Sequence, residues 1–208
     1  MDYVKNVKEI MTKSYIKKIK LETIETWIGK NLKRNVIVIG ADTAVYHTAF
    51  AVIRTTDTYL ILEEIQKIEV PKLSKKSTIK HVLDNVDLFT EQLDNLKNLF
   101  AQKYKFDYTQ IENCFYSFSV KTTKLLAYNG ILTYDRLKRI SNNATLIMPQ
   151  SARSIVGFKK SKNAKGSQLK QEVVDYINNI LDLKLKLKDN DQADSIMLAL
   201  SGIIENEN

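Results

Sequence analysis

The chain reads as an α/β protein: a mixed five-stranded sheet flanked by helices, preceded by a helical N-terminal extension. Three observations lead there. Asn35 to Asp42 is nearly continuous apolar, the pattern of a strand buried on both faces. Thr48 to Arg54 and Tyr59 to Val70 are rich in β-branched and aromatic residues, and the polar run Thr55 to Thr58 between them has the composition of a hairpin turn. Beyond Val70 the periodicity alternates between helical spacing and short strand-like runs, as it does when helices are laid on a sheet.

Each element has its own signal. Residues 1 to 34 place Val4, Val7, Ile10, Met11 and then Ile24, Trp27 and Ile28 at helical spacing, so two short helices are expected ahead of the main fold at 35–208. This segment carries nine Lys or Arg against four acids, +5 of the chain's +8 formal charge. Two readings stay open for it: a helix-turn-helix-like DNA reader, or an amphipathic extension packed on the domain. Ser77 to Tyr104 sets Ile79, Val82, Val86, Phe89, Leu93, Leu96 and Phe100 at steps of three and four, one long amphipathic helix. Tyr108 to Glu112 returns as a strand. Val120 to Ile140 is helical despite Asn129 and Gly130, Thr145 to Met148 is a short strand ended by Pro149, and Gly166 to Leu181 and Asp189 to Ile204 are helices. A three-strand meander followed by alternating helices and strands is the order of the ribonuclease H-like fold.

At 208 residues the chain can bury a real core, and 44% hydrophobic with 27% charged residues is the composition of a soluble globular protein. The pI near 9.3 points to a polyanionic partner. No stretch approaches the roughly 18 apolar residues of a membrane span, and the lysine-studded start lacks a signal-peptide core, so no membrane is expected. The single cysteine, Cys114, excludes an internal disulfide and a cysteine-based zinc site, and reads as a buried thiol. An intracellular, cytoplasmic protein is expected. Its Lys- and Asn-rich composition suits an AT-rich genome, such as that of a phage or a low-GC bacterium.

Four carboxylates on three segments carry the chemistry. Asp42 closes the central strand, Glu112 closes its neighbour, and Asp191 and Asp194 share a helix face at i and i+3. Brought together, they repel and raise one another's pKa unless a cation sits between them. Such hard oxygen ligands suit Mg²⁺ or Mn²⁺, and two such ions can activate a water and stabilise the leaving oxygen of a phosphodiester. Asp191 taken alone reads rather as a helix cap or a complement to the helix dipole. The Lys159 to Gly166 run reads as a flexible basic loop or a solvated turn.

Four blocks of the chain, spanning about Val36 to Leu200, resemble the RuvC-type Holliday junction resolvases. Gly40 to Ile53 is similar to the family's strand, Asp and small residues, with Thr43 and Ala44 where a Pro-Gly pair is usual and Ala49 in place of a Gly. Ile111 to Phe115 resembles its Ile-Glu followed by an aromatic, Ser151 to Gly157 with Lys165 its short helix and basic loop, and Asp191 to Leu200 its closing helix.

The resemblance implies a structure-selective endonuclease that nicks branched DNA, especially four-way junctions, as a homodimer paired through the Val120 to Ile140 helix. Asp42, Glu112, Asp191 and Asp194 would ligate metal. Phe115, which the residues alone would place in the core, would stack at the junction centre, and Arg153 and Lys165 would hold phosphate. Lys121 and Lys124 are read as DNA-backbone contacts, a solvated helix face being the alternative. Two other readings remain: a nuclease of this fold acting on forks, flaps or RNA-containing hybrids, and a junction-binding protein that does not cut.

Overall fold

The run from Asn35 forms its strand because it lies between two hydrophobic layers. The computed structural model describes residues 17–74, 77–113 and 120–205, apart from the side chains of Val120 and Lys121. Within it, β2 (Ile37–Thr43) turns Val38 toward one core while Ile39 and Ala41 face the other. Strand alternation thus explains why an almost unbroken apolar run is needed here.

Strands β3 (His47–Thr55) and β4 (Tyr59–Glu69) complete an antiparallel meander. Its turn is closed by Thr56, whose backbone N–H donates to the Tyr59 carbonyl at 2.8 Å and whose hydroxyl accepts from the Tyr59 N–H at 3.0 Å. A register shift after Val52 leaves Glu63 as an extra residue, a β-bulge that lets it meet the Arg54 guanidinium at 2.7 Å. Helix α2 (Ile79–Lys103) follows, with the Thr78 N–H capped by His81 Nδ1 at 3.0 Å. Then β5 (Phe106–Glu112) pairs parallel to β2.

Helix α3 (Val120–Lys138) leads to β6 (Ser141–Ile147), parallel to β5. This strand begins four residues earlier than Thr145. The extra Ser-Asn-Asn stretch has no strand propensity of its own; its backbone is paired along β5 at the sheet edge, so tertiary pairing overrides local preference. Helices α4 (Pro149–Ile155), α5 (Ser167–Leu181) and α6 (Asn190–Ile203) close the chain, α6 entered through a 3₁₀ turn at Leu187–Asp189.

Among the described residues the sheet has six strands in the order β1-β4-β3-β2-β5-β6, not the expected five. The added strand, β1 (Lys17–Lys20), lies between the two helices expected in the basic N-terminal segment, the first of which falls outside the described residues, and pairs antiparallel with β4. Only Ile19 has an apolar side chain in it, and four residues are too few to reveal a period. Its three lysines suit an edge strand, where charge discourages further pairing. Helix α1 (Leu21–Ile28) does match expectation in type. It buries Leu21, Ile24 and Ile28 and ends at Gly29, whose φ of 71° supplies the left-handed cap. Cys114 lies outside the described residues.

Two layers cover the sheet. Residues of α1, α5 and α6 pack with Val38, Ala51, Ile53, Leu60 and Leu62 on one face. Phe89, Leu93, Leu96 and Phe100 of α2 pack with Ile39, Phe50 and Val52 on the other, joined by Leu137 of α3. The first of these layers carries α6 across β2, and that crossing builds the site.

Candidate active site

Because β2 and β5 run parallel, their carboxyl ends open at the same edge, the place where open α/β sheets present ligand sites. Asp42 and Glu112 stand there on the face covered by α6. Gly40, two residues before Asp42 and on the same face, allows the close approach. A Cβ there would lie 3.1 Å from Ala199 Cα and collide with the Ser195 carbonyl oxygen and the Ala199 nitrogen. The helix therefore rests on β2 at backbone contact and carries its first turn, with Asp191 and Asp194, over the strand end.

Asp42, Glu112 and Asp194 line one cleft, together with Arg153 and the apolar Pro149, Ala152, Met197 and Leu198. Asp42 is only 9% exposed. Burial pushes its carboxyl well above the usual range, a hydrogen bond shared with Glu112 pushes it further, and the charges of Glu112, Asp194 and Asp191 act in the same direction. Glu112 is also raised by burial and by Asp194, although its bond to Asp42 and the charge of Arg153 oppose this. Two carboxyls in hydrogen-bond contact must share a proton or a cation.

The outer two carboxylates have cations of their own. Arg153 Nη2 on α4 donates to Asp194 Oδ1 at 2.8 Å; burial raises the Asp194 pKa, and the charges of Arg153 and Lys170 resist that rise. Asp191 Oδ2 lies 3.3 Å from Lys67 Nζ and 3.5 Å from His47 Nε2, and its Oδ1 accepts from Asn190 Nδ2 at 2.6 Å. Among the described residues no three carboxylate or imidazole side chains therefore stand as a closed metal cluster. The donor set nevertheless suits a hard divalent cation: oxygen ligands only, with an inner pair on which the surrounding carboxylates concentrate negative charge. Asp42, Glu112 and Asp194 could hold one such ion, and Asp191 a second.

Of the remaining sequence candidates, Lys165 and Lys124 are exposed, in the loop before α5 and on α3. The Lys121 side chain and all of Phe115 lie outside the described residues. Sequence reasoning passed over three residues around the site. Lys67 and His47 reach Asp191 from the meander. Asn129 of α3 donates from Nδ2 to the carbonyls of Ala44 at 2.9 Å and Val45 at 3.2 Å, bracing the turn that follows Asp42. A polar residue buried in mid-helix was the available signal for Asn129.

The raised Asp42 pKa has a stability consequence in metal-free protein. Above the unfolded-state pKa near 4, the unfolded chain has released a proton that the folded site still holds, so stability is lost as pH rises toward the folded pKa and stays lost above it. Asp42→Asn removes that loss. In chelator at neutral pH the variant should be more stable by about 1 kcal/mol, melting roughly 2–4 °C higher, and the gap should close near pH 4. Melting curves across pH check this. A variant that melts lower at neutral pH would mean that Asp42 has a stabilising partner in the apo state.

Comparison with known proteins agrees with this architecture. The family model described as Crossover junction endodeoxyribonuclease RuvC matches residues 38–202. A protein of that name from Aliarcobacter butzleri (strain RM4018) is 24% identical over 165 residues, covering 79% of this chain and 96% of the relative. Among solved structures, Thermus thermophilus RuvC in complex with a Holliday junction substrate aligns with a TM-score of 0.56 at 13% identity, over 79% of this chain and 91% of that one. Another T. thermophilus RuvC structure aligns at 0.53 and 16% identity, over 79% and 92%. These two establish the ribonuclease H-like fold. The family match takes in the strand that carries Asp42, the strand that ends at Glu112 and the helix that bears Asp191 and Asp194, and the chain belongs to the RuvC family of crossover junction endodeoxyribonucleases.

Proposed function

We propose that this protein is a Mg²⁺- or Mn²⁺-dependent endonuclease that nicks four-way DNA junctions, acting inside the cell as a homodimer. The observation that carries this reading is the setting of Asp42. It is buried at a strand end, and burial together with the Glu112, Asp194 and Asp191 carboxylates disfavours its charged form. A bound divalent cation would balance that charge, polarise the phosphate and lower the pKa of an attacking water.

The protein's own residues do the rest. Asp42 and Glu112 fix the position of that charge on two rigid parallel strands, while the ion-paired Arg153 offers a cation to the scissile phosphate beside Asp194. The apolar floor of Met197 and Leu198 limits water around the carboxylates. Lys165 and Lys124 would contact the DNA backbone, and Phe115 and Lys121 are assigned to DNA on the family resemblance. Two cuts related by two-fold symmetry need two sites, which favours a dimer paired through α3, where Tyr128 and Ile131 are exposed. Residues 35–208 form the nuclease domain, and residues 17–34 extend it through β1 and the buried face of α1. Among the described residues no helix is long and apolar enough to cross a membrane.

The test sets a four-way junction, a fork, a flap and linear duplex side by side in Mg²⁺. The junction should be cut fastest, in symmetric pairs of nicks. Ca²⁺ should support binding with little cleavage, because its looser coordination positions the water poorly. Faster cutting of forks or flaps would transfer the reading to another branched substrate, and full activity in excess chelator would end the metal reading.

A further inference from the structure

Three strands meet in one rung beneath the site. Asp42 of β2 lies opposite Ala49 of β3, and Ala49 lies opposite Lys67 of β4. Residues in one rung project to the same face, so Asp42 and Lys67 both point toward α6. The residue between them is a fully buried alanine, whose single methyl leaves the long lysine stem free to cross toward the helix. Two residues along, on that same face, His47 lies opposite Glu69.

Lys67 Nζ thus stands 2.9 Å from Glu69 Oε1 and 3.3 Å from Asp191 Oδ2. Its side chain is 25% exposed and that of Asp191 12%, so the pair is largely shielded from solvent screening. Burial draws the Lys67 pKa down, but the Glu69 and Asp191 carboxylates outweigh it and the ammonium stays charged. The four site carboxylates therefore divide in two. Asp191 is already paired with a lysine from β4, whereas Asp42 and Glu112 share a hydrogen bond and neither is ion-paired with a lysine or arginine among the described residues.

We infer that Lys67 is a positioning residue, a built-in counter-cation that holds Asp191 and keeps the affinity of that carboxylate for a divalent ion low. A metal that recruits Asp191 must displace the ammonium, and loses part of the Coulomb attraction it would otherwise have. The ion held by Asp42, Glu112 and Asp194 must displace Arg153 from Asp194, but among the described residues it meets no ion pair on Asp42 or Glu112 and so keeps two uncompensated ligands. The two positions should accordingly fill at well-separated metal concentrations, with Lys67 setting the gap. This inference rests on the reading of the carboxylates as a metal site.

Mn²⁺ binding to the full-length protein without DNA separates the two claims. The electron paramagnetic resonance signal of free Mn²⁺ counts the bound ions, and melting curves in chelator check that each variant folds. Wild type should bind one ion tightly and a second weakly. Lys67→Met and Lys67→Gln, which remove the charge, should tighten the weak step by about tenfold, and Lys67→Arg, which keeps it, should match wild type. In an Asp191→Asn background Lys67→Met should change nothing, because the effect passes through Asp191. An unchanged or weakened second step in both neutral variants, or an equal shift in the Asp191→Asn background, overturns the role of Lys67. Equal Mn²⁺ binding by wild type and Asp42→Asn would instead overturn the metal site itself.

Discussion

Asp42→Asn should abolish cleavage, by on the order of 10³-fold or more, equivalent to about 4 kcal/mol of barrier. The amide keeps the shape of the carboxylate and can still bond to Glu112, so β2 and the packing of α6 should be undisturbed. What is lost is the charge proposed to hold a cation at the centre of the site. Junction binding should persist, because removing a negative charge does not weaken attraction to phosphate. Asp194→Asn should act in the same direction, since it removes a proposed ligand and also releases Arg153 from its 2.8 Å pair. Single-turnover cleavage in Mg²⁺, with junction binding measured in Ca²⁺, checks both variants. A rate within tenfold of wild type for either would remove that residue from the catalytic set.

Gly40→Ala should be among the most damaging single substitutions in the fold, costing about 3–5 kcal/mol. The atoms that its Cβ would strike belong to the backbone of α6 at Ser195 and Ala199, so no side chain can swing aside. The helix must lift from β2, and lifting it separates Asp191 and Asp194 from Asp42. A fall in melting temperature of roughly 6–20 °C should therefore come with lost cleavage. Gly29→Ala is the contrasting control. Gly29 has φ 71° but nothing within 4 Å of an added Cβ, so the change should cost only about 1 kcal/mol of backbone strain, far from the site. If Gly40→Ala proved as mild as Gly29→Ala, α6 would not be held by close contact.

Much of this site was legible in the chain because its central parts rest on local patterns. The apolar run before Asp42 can only be a strand buried on both faces, and a carboxylate ending such a strand demands a reason. Helical spacing placed Asp191 and Asp194 on one face, and the alternation of strands and helices supplied an order in which β2 and β5 are neighbours. The strand and helix types from Asn35 onward agree with this order, and the four ordered blocks pointed to the family that the chain joins.

What local pattern could not supply is register. β1 is a four-residue lysine-rich segment that becomes a strand only because β4 offers it an open edge, and the Ser141 start of β6 is likewise decided by β5. Lys67 sits in an alternating strand like any surface lysine until the rung through Ala49 sets it beneath α6 and beside Asp191, more than a hundred residues away in sequence. Arg153 and Asp194, and Asn129 and the turn after Asp42, are joined in the same way. The sequence by itself determined which segments alternate, which faces are apolar and which carboxylates are costly to bury, since these follow from neighbours a few residues apart. Only the tertiary structure decided which cation answers which carboxylate, because pairing across strands and the seating of α6 on Gly40 depend on contacts between residues remote in the chain.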